Sequence, residues 1–525
     1  MIRVLAAGDS SEAQMLVTAA LGRSTPSGLI VEVSACELLK SHSQSHQIWV
    51  IINPLAIWTA SIISLLEKAS NKILLLGRLP EPLTDALELQ NSGPVSSLNE
   101  AAKAKPADTF GESNSDARVV YLNPIGNQFS PLDVRHFQRY DFMDEWNNLG
   151  YGSITTEGSV WSLSSCHIAQ LKNQIANVLT DGGTQATWSA LWDSTGSVLW
   201  FARSVGPIDS QEWRLVESWL ANYRCDELPC VPVIREIPAG YDSAVTMRLD
   251  CDEDVESARP LWETYCELEV PLSLALHATV LTDPNHHKLP LDVLGSGGSI
   301  LSHTLTHAPN WGGSYEAALH EGAESRAVIE RAIGHSVRYA VSPFHHTPEY
   351  ARKALADAGY EGCVGGIINC DPDFMTARSG VPVGQGSGFI GFAQQCMLHG
   401  DCMQDSEDPI RIFKQAFSSA KQSAQFFGFL DHPFSERYQY GWESEVQRTE
   451  VHRSLIESMR KSGGNVLFAS MEDAFDFLKA KASVAGVYEN GQYQLSTPQI
   501  APASWQIECE YRNERQVIGA GGCLL

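Results

Sequence analysis

The sequence predicts an α/β protein in which two strand–helix regions follow one another along the 525-residue chain. Three observations predict it. Short apolar runs at residues 2–6, 29–33, 49–52, 73–76 and 119–122 alternate with helix-like stretches such as 11–21 and 56–69, the pattern of a parallel sheet covered on both faces. A second series at 244–249, 272–278, 299–301, 339–341, 363–368, 426–430 and 466–468 repeats the alternation. Six or seven such units predict a closed or nearly closed parallel barrel, with its chemistry at the C-terminal strand ends. Between the two series, Pro229 and Pro232 bar regular pairing and mark 227–233 as a linker. The domains expected are a parallel α/β accessory domain (1–125), a mixed accessory segment that is separate or continuous with it (126–235), a barrel (243–482) and a small β appendage (485–525).

Local signals fill in the elements. Asp9 followed by Glu12 has the pattern of a capping box opening the first helix. Residues 48–66 carry no charge and approach transmembrane length, but Asn53-Pro54 interrupts them; a buried strand, a turn and a core helix account for the run without a membrane. The polar stretch 91–116 reads as a surface loop, 188–202 as a hairpin turning at 193–196, and Asp209 opens a helix to about residue 223. Asn490-Gly491 and 519–522 are turn signals in the appendage.

Asp and Glu number 62 against 37 Lys and Arg, a formal charge of -25. That balance argues against nucleic acid and anionic lipid as partners and favours a neutral or cationic substrate. The 12 cysteines are scattered without a Cys-x-x-Cys pair, the pattern of free thiols in a reducing compartment. The opening MIRVLAAGDSSE has no apolar signal region, so a cytoplasmic location is expected. Nothing in the sequence fixes an oligomeric state.

Three segments at predicted strand ends carry chemistry: 247–254 (MRLDCDED), 302–307 (SHTLTH) and 427–433 (FGFLDHP). His303 and His307 are four apart, and on a helical turn both imidazoles would share one face and one ion. Asp250 and Asp252 point the same way along an extended strand. Two carboxylates side by side require a cation between them or a shared proton. The two imidazoles and one carboxylate suit zinc or a similar divalent metal with positions left for water. His432 offers a general acid. Each segment alone also has an ordinary structural reading, as loop histidines, an acidic turn and a strand cap.

Together, in this order, the segments resemble the polysaccharide deacetylase family (NodB homology domain) over about residues 243–482. The resemblance implies a distorted (β/α) barrel of that type and a metal-dependent hydrolase of carbon–nitrogen bonds. It implies Asp250 as base, Asp252, His303 and His307 as metal ligands, and His432 as general acid. It also implies an oxyanion-stabilising backbone N–H at Phe344, next to Pro343. Two departures stand out. Cys251 separates the two aspartates, so the roles could shift along 250–254. Val341 occupies the place of the family's base-orienting Arg, and Arg248, on the same strand face as Asp250, is expected to take over that task within 2.7–3.2 Å. Asp371 and Asp373 are the nearest candidates for the fourth motif. Trp311 and Trp442 follow two motifs and could stack on a sugar or pack. The doublets 286–287 and 345–346 are read as loop histidines at the groove mouth, and His277 as a core histidine.

The expected substrate is an N-acetylated sugar, oligosaccharide or lipid-linked glycan, deacetylated to amine and acetate with zinc, or cobalt, nickel or manganese. The competing readings are an amidohydrolase of a small non-sugar amide and an inactive glycan-binding or scaffold protein. The N-terminal half resembles Rossmann-like, flavodoxin-like or class I amidotransferase-like α/β domains, without a Gly-x-Cys-x-Gly turn or a Gly-x-Gly-x-x-Gly loop.

Overall fold

Nine of the described strands in the first 201 residues form one sheet, and Gln90–Asn91 and His167–Ile168 pair separately. The strands Ile30–Glu32, Ile2–Ala6, Ile48–Ile52, Lys72–Leu76 and Ser197–Phe201 lie side by side and parallel. The sheet then continues antiparallel through Gly183–Asp193, Gln174–Thr180, Arg118–Tyr121 and Arg135–His136. The computed structural model describes the chain outside residues 42–43, 94, 123–131, 141–148, 150, 165, 366–377, 387, 394–395, 404–406 and 498–504. Strand 118–121, expected in a parallel sheet, is therefore antiparallel. Only Val119 of that strand is buried, whereas Ile48–Ile52 and Lys72–Leu76 are buried throughout. Half-covered strands belong to antiparallel sheets and fully covered ones to parallel sheets.

Residues 48–66 resolve into the strand Ile48–Ile52 and the helix Thr59–Glu67, and among the described residues no helix is long and apolar enough to cross a membrane. The first helix, Ser11–Ser24, is preceded by Ser10 and has no side-chain cap, contrary to the box read at Asp9 and Glu12. The Ser10 hydroxyl is held instead by Asn53 at 2.9 Å and by its own bond to Asp9. The box forms at Ser34 and Glu37. The 91–116 stretch contains a helix, Ser96–Ala102, and the linker ends in a strand, Val233–Ile234, paired with Cys509 and Glu510. The C-terminal residues divide between that small sheet and another, where Asn490 and Gly491 (φ 53° and 83°) make the two-residue turn joining Glu489 to Gln492.

In the second region Ser243–Cys251, Ser273–Leu276, Ser299–Ser302, Tyr339–Val341, Gly362–Gly365 and Ile390–Ala393 are parallel neighbours in that order. On the other side of Ser243–Cys251 lie Phe426–Asp431 and then Cys396–Met397. The two outermost strands are separated in the chain only by residues 394 and 395, so the sheet curls back on itself. Phe392 reaches across to lie 6.1 Å from Phe426, and a Cβ on Gly428 would come within 2.7 Å of its ring.

Side chains alternate across the curled sheet. Val245, Met247, Leu249 and Cys251 join the apolar core beneath the surrounding helices. Ala244, Ala275, Leu301, Phe392 and Phe426 share the other core with Phe475 and Phe477 of the helix Met471–Ala482. Thr246, Arg248 and Asp250 lie on this inner face by the same period of two. The core of the N-terminal sheet is continuous with it, and a buried ion pair, Arg378 to Glu217 at 2.6 Å, reinforces the junction.

Candidate active site

The strand ends converge on a cavity of about 430 Å3 lined by Asp250, Asp252, Glu253, His277, His303, His307, Phe344, His345, His432, Tyr438 and Tyr440. Arg248 stands behind Asp250. Its Nε donates to Oδ1 at 2.7 Å and its Nη2 to Oδ2 at 3.0 Å, with both residues 1–2% exposed. This is the contact expected from their two-residue spacing. Burial alone raises the Asp250 carboxyl, but Arg248 first and then His303 and His432 overcome it and hold the pKa at about 2.

Asp252, His303 and His307 meet at their tips. The two Nε2 atoms are 3.1 Å apart, and Asp252 Oδ1 lies 3.3 Å from one and 3.5 Å from the other. A tetrahedral ion with bonds of about 2.0–2.1 Å has ligand–ligand edges of about 3.3–3.4 Å, so these separations fit a shared metal. Two further observations agree. Asp252 Oδ1 is buried and has no aligned hydrogen-bond donor among the described residues. His303 Nδ1 faces the Val341 carbonyl at 3.2 Å; placing its proton there turns the Nε2 lone pair toward Asp252, the tautomer a ligand needs. Burial works against the Asp252 charge, yet His303, His432 and His307 hold its carboxyl well below the usual range. The same carboxylates raise His303 despite its burial, while burial and the neighbouring His303 lower His307.

The His303–His307 segment is not the helical turn inferred from its spacing. Thr304 and His307 have φ of 67° and 55°. The loop is held from below: the buried Glu321 carboxylate accepts the N–H groups of Leu305 and Thr306 at 3.0 and 2.9 Å, and Thr304 Oγ1 accepts that of His307 at 2.9 Å. Phe344 and His345 are also left-handed, at 51° and 55°. Such backbone is costly and collects where a site needs it.

His432 Nε2 lies 3.8 Å from Asp252 Oδ2. The preceding Asp431 points to the outer face, fully buried, and accepts from the His432 N–H at 2.7 Å, from His452 Nε2 at 3.0 Å and from Trp442 Nε1 at 3.3 Å. Arg448 donates to the His432 carbonyl at 3.0 Å.

Two expectations need correction. Trp442 and Trp311 are buried and do not line the cavity; their indoles bond to Asp431 and to Thr347. Large rings next to a strand end filled the core here. Pro343 is buried beside the lining Phe344. His277 is a cavity residue rather than a core one: Nδ1 contacts the Asp252 carbonyl at 2.8 Å and Nε2 the Thr279 hydroxyl at 2.9 Å. His345 forms part of the wall, whereas His286, His287 and His346 do not. Tyr438 and Tyr440 line the cavity and were not singled out by the sequence. Asp371 and Asp373 lie outside the described residues.

No family model and no curated protein sequence matches the chain. Solved structures resemble about half of it. A putative polysaccharide deacetylase from Mycobacterium smegmatis shares 13% identity over 48% of this chain and 96% of its own, with a TM-score of 0.37. A family 4 acetyl xylan esterase from Clostridium thermocellum, solved with cobalt, shares 13% over 44% and 90%, with a TM-score of 0.30. A CE4-family pseudoenzyme from Bacillus anthracis shares 14% over 48% and 71%, also with a TM-score of 0.30.

Proposed function

We propose that this protein is a metal-dependent N-deacetylase of the polysaccharide deacetylase type, releasing acetate from an N-acetylated sugar or glycan. The observation that carries the reading is the convergence of Asp252, His303 and His307 at metal-ligand spacing beside a buried, ionised Asp250.

Asp252, His303 and His307 would hold the ion, zinc being the first choice for two imidazoles and a carboxylate. When bound, a divalent cation supplies Lewis-acid polarisation of the acyl carbonyl and acidifies a water. Asp250, kept ionised and fixed in rotamer by Arg248, takes a proton from the attacking water. The backbone N–H of Phe344, a residue of the cavity wall, would donate to the developing oxyanion. His432, on the opposite side of Asp252, gives a proton to the leaving nitrogen. Phe344 and Tyr438, 44% and 38% exposed, offer ring faces to a sugar. No charged side chain among the cavity residues demands an anionic substrate.

The test is elemental analysis of the purified chain together with acetate release from a panel of N-acetyl sugars and small amides. About one divalent ion per chain and release from the sugars support the reading. A stoichiometric ion with release only from non-sugar amides overturns the substrate class, and an ion-free chain inert with added zinc overturns the enzyme.

A further inference from the structure

We propose that Tyr440 positions two groups of this site at once, holding the plane of His432 and selecting the Asp252 oxygen that faces the metal; this rests on the deacetylase reading. The Tyr440 ring stacks on the His432 imidazole, centroids 4.0 Å apart and planes 9° from parallel. From that position its hydroxyl reaches Asp252 Oδ2 at 3.3 Å. Oδ1 is the oxygen turned toward His303 and His307. A hydroxyl donating to Oδ2 fixes the rotation of the carboxylate, so that Oδ1 alone is presented to the ion.

The backbone is built to hold the ring there. Tyr440 has φ of 47°, in the left-handed region where a β-carbon is disfavoured. Its carbonyl accepts the Gly400 N–H at 2.9 Å. A Cβ on Gly400 would fall 2.0 Å from the Gly441 backbone, and one on Gly441 would fall 2.6 Å from the Asp401 nitrogen. The loop after His432 is thus pressed backbone to backbone on the turn at 400–401, and two glycines permit the approach. A residue held in strained backbone, stacked on one functional side chain and bonded to another, is placed for the site.

Tyr440→Phe keeps the stack and loses the hydroxyl; Tyr440→Leu loses both. The full chain is stripped with chelator and titrated with zinc, and the rates of the zinc-saturated variants are compared on an N-acetyl sugar and on 4-nitrophenyl acetate, whose leaving group departs without a proton. Tyr440→Phe is expected to weaken zinc binding about 10-fold, the lower end of outer-shell effects, with the ratio of amide to ester rates unchanged. Tyr440→Leu is expected to lower that ratio by about 100-fold, as loss of general-acid placement does, with His432→Ala giving the same selective loss. Wild-type zinc affinity in Tyr440→Phe overturns the proposal whatever the activity, and equal losses on both substrates in a folded Tyr440→Leu overturn its His432 part. Where Tyr440→Leu does not fold, the isosteric Tyr440→Phe decides. A wild-type chain that releases no acetate, while Tyr440→Phe loses zinc affinity, overturns the deacetylase reading and leaves the placement of Asp252 standing.

Discussion

Replacing Arg248 by Met removes the guanidinium and keeps most of the stem volume. The fork it makes on Asp250 is fully buried, so its loss strands a carboxylate in a site where burial is the largest influence on the proton. The Asp250 carboxyl is held at about 2 against the ordinary 3.8, which corresponds to roughly 2–3 kcal/mol at about 1.4 kcal/mol per tenfold. Because the folded value is depressed, that stability is present above pH 4 and is lost as pH falls from about 4 toward 2. In Arg248→Met the sign reverses: unbalanced burial pushes Asp250 up, and the fold is destabilised at neutral pH by about 3–5 kcal/mol, as when one partner of a buried pair is removed. The deficit against wild type should shrink on acidification as Asp250 takes its proton. The assays are chemical denaturation across pH and kcat/KM against pH. The acid limb of kcat/KM should move upward in the variant, with the metal content unchanged. Superimposable pH profiles, with only a uniform loss of rate, would refute the role given to Arg248.

Three other perturbations bear on the site. The His303→Ala, His307→Ala double variant should lose the ion and the activity together; metal retained on elemental analysis would place the centre elsewhere. Asp250→Asn should keep the ion and lower kcat by about 10²–10⁴-fold, as loss of a general base does, whereas Asp252→Asn should first lose metal affinity; interchanged phenotypes reverse the two roles. Asp431→Asn leaves the buried Arg448 with the half-buried Glu445 as its remaining carboxylate, and should cost about 3 kcal/mol in denaturation; an unchanged midpoint would show that the charge at Asp431 is not needed.

The curled parallel sheet was legible because short apolar runs alternate with helix-like stretches along residues 244–468. The candidate ligands Asp252, His303 and His307 were legible because metal chemistry restricts residue type and short spacing. What the sequence could not show were contacts made by chain return. His303-x-x-x-His307 is compatible with a helical turn or with a left-handed loop, and the choice was made by Glu321, 14 residues beyond His307, whose carboxylate caps Leu305 and Thr306. Trp311 and Trp442 carry the same local signature whether they stack on sugar or fill a core; burial by distant elements decided for the core. Tyr440 depends on a loop folding back onto residues 400–401, which no local pattern reports. The antiparallel half of the first sheet escaped for a related reason: a short apolar run has no direction until its neighbours are known.

The strand ends divide their work between two faces. Inward, Asp250 and His432 meet the cavity, with Arg248 behind Asp250. Outward, Asp431 gathers the His432 N–H, the Trp442 indole, Arg448 and His452, while Arg448 also donates to the His432 carbonyl. His452 completes the set with the Tyr265 hydroxyl at 2.9 Å, and burial lowers its pKa, so it serves as a neutral imidazole that donates to Asp431 through Nε2 and accepts from Tyr265 through Nδ1. An apolar core could stabilise this region as well or better, since buried ion pairs repay their desolvation poorly. What apolar packing cannot do is bind both the N–H and the C=O of one residue. Those two bonds fix the backbone of His432 from behind, the Tyr440 ring stacks on its imidazole from the front, and Nε2 faces Asp252.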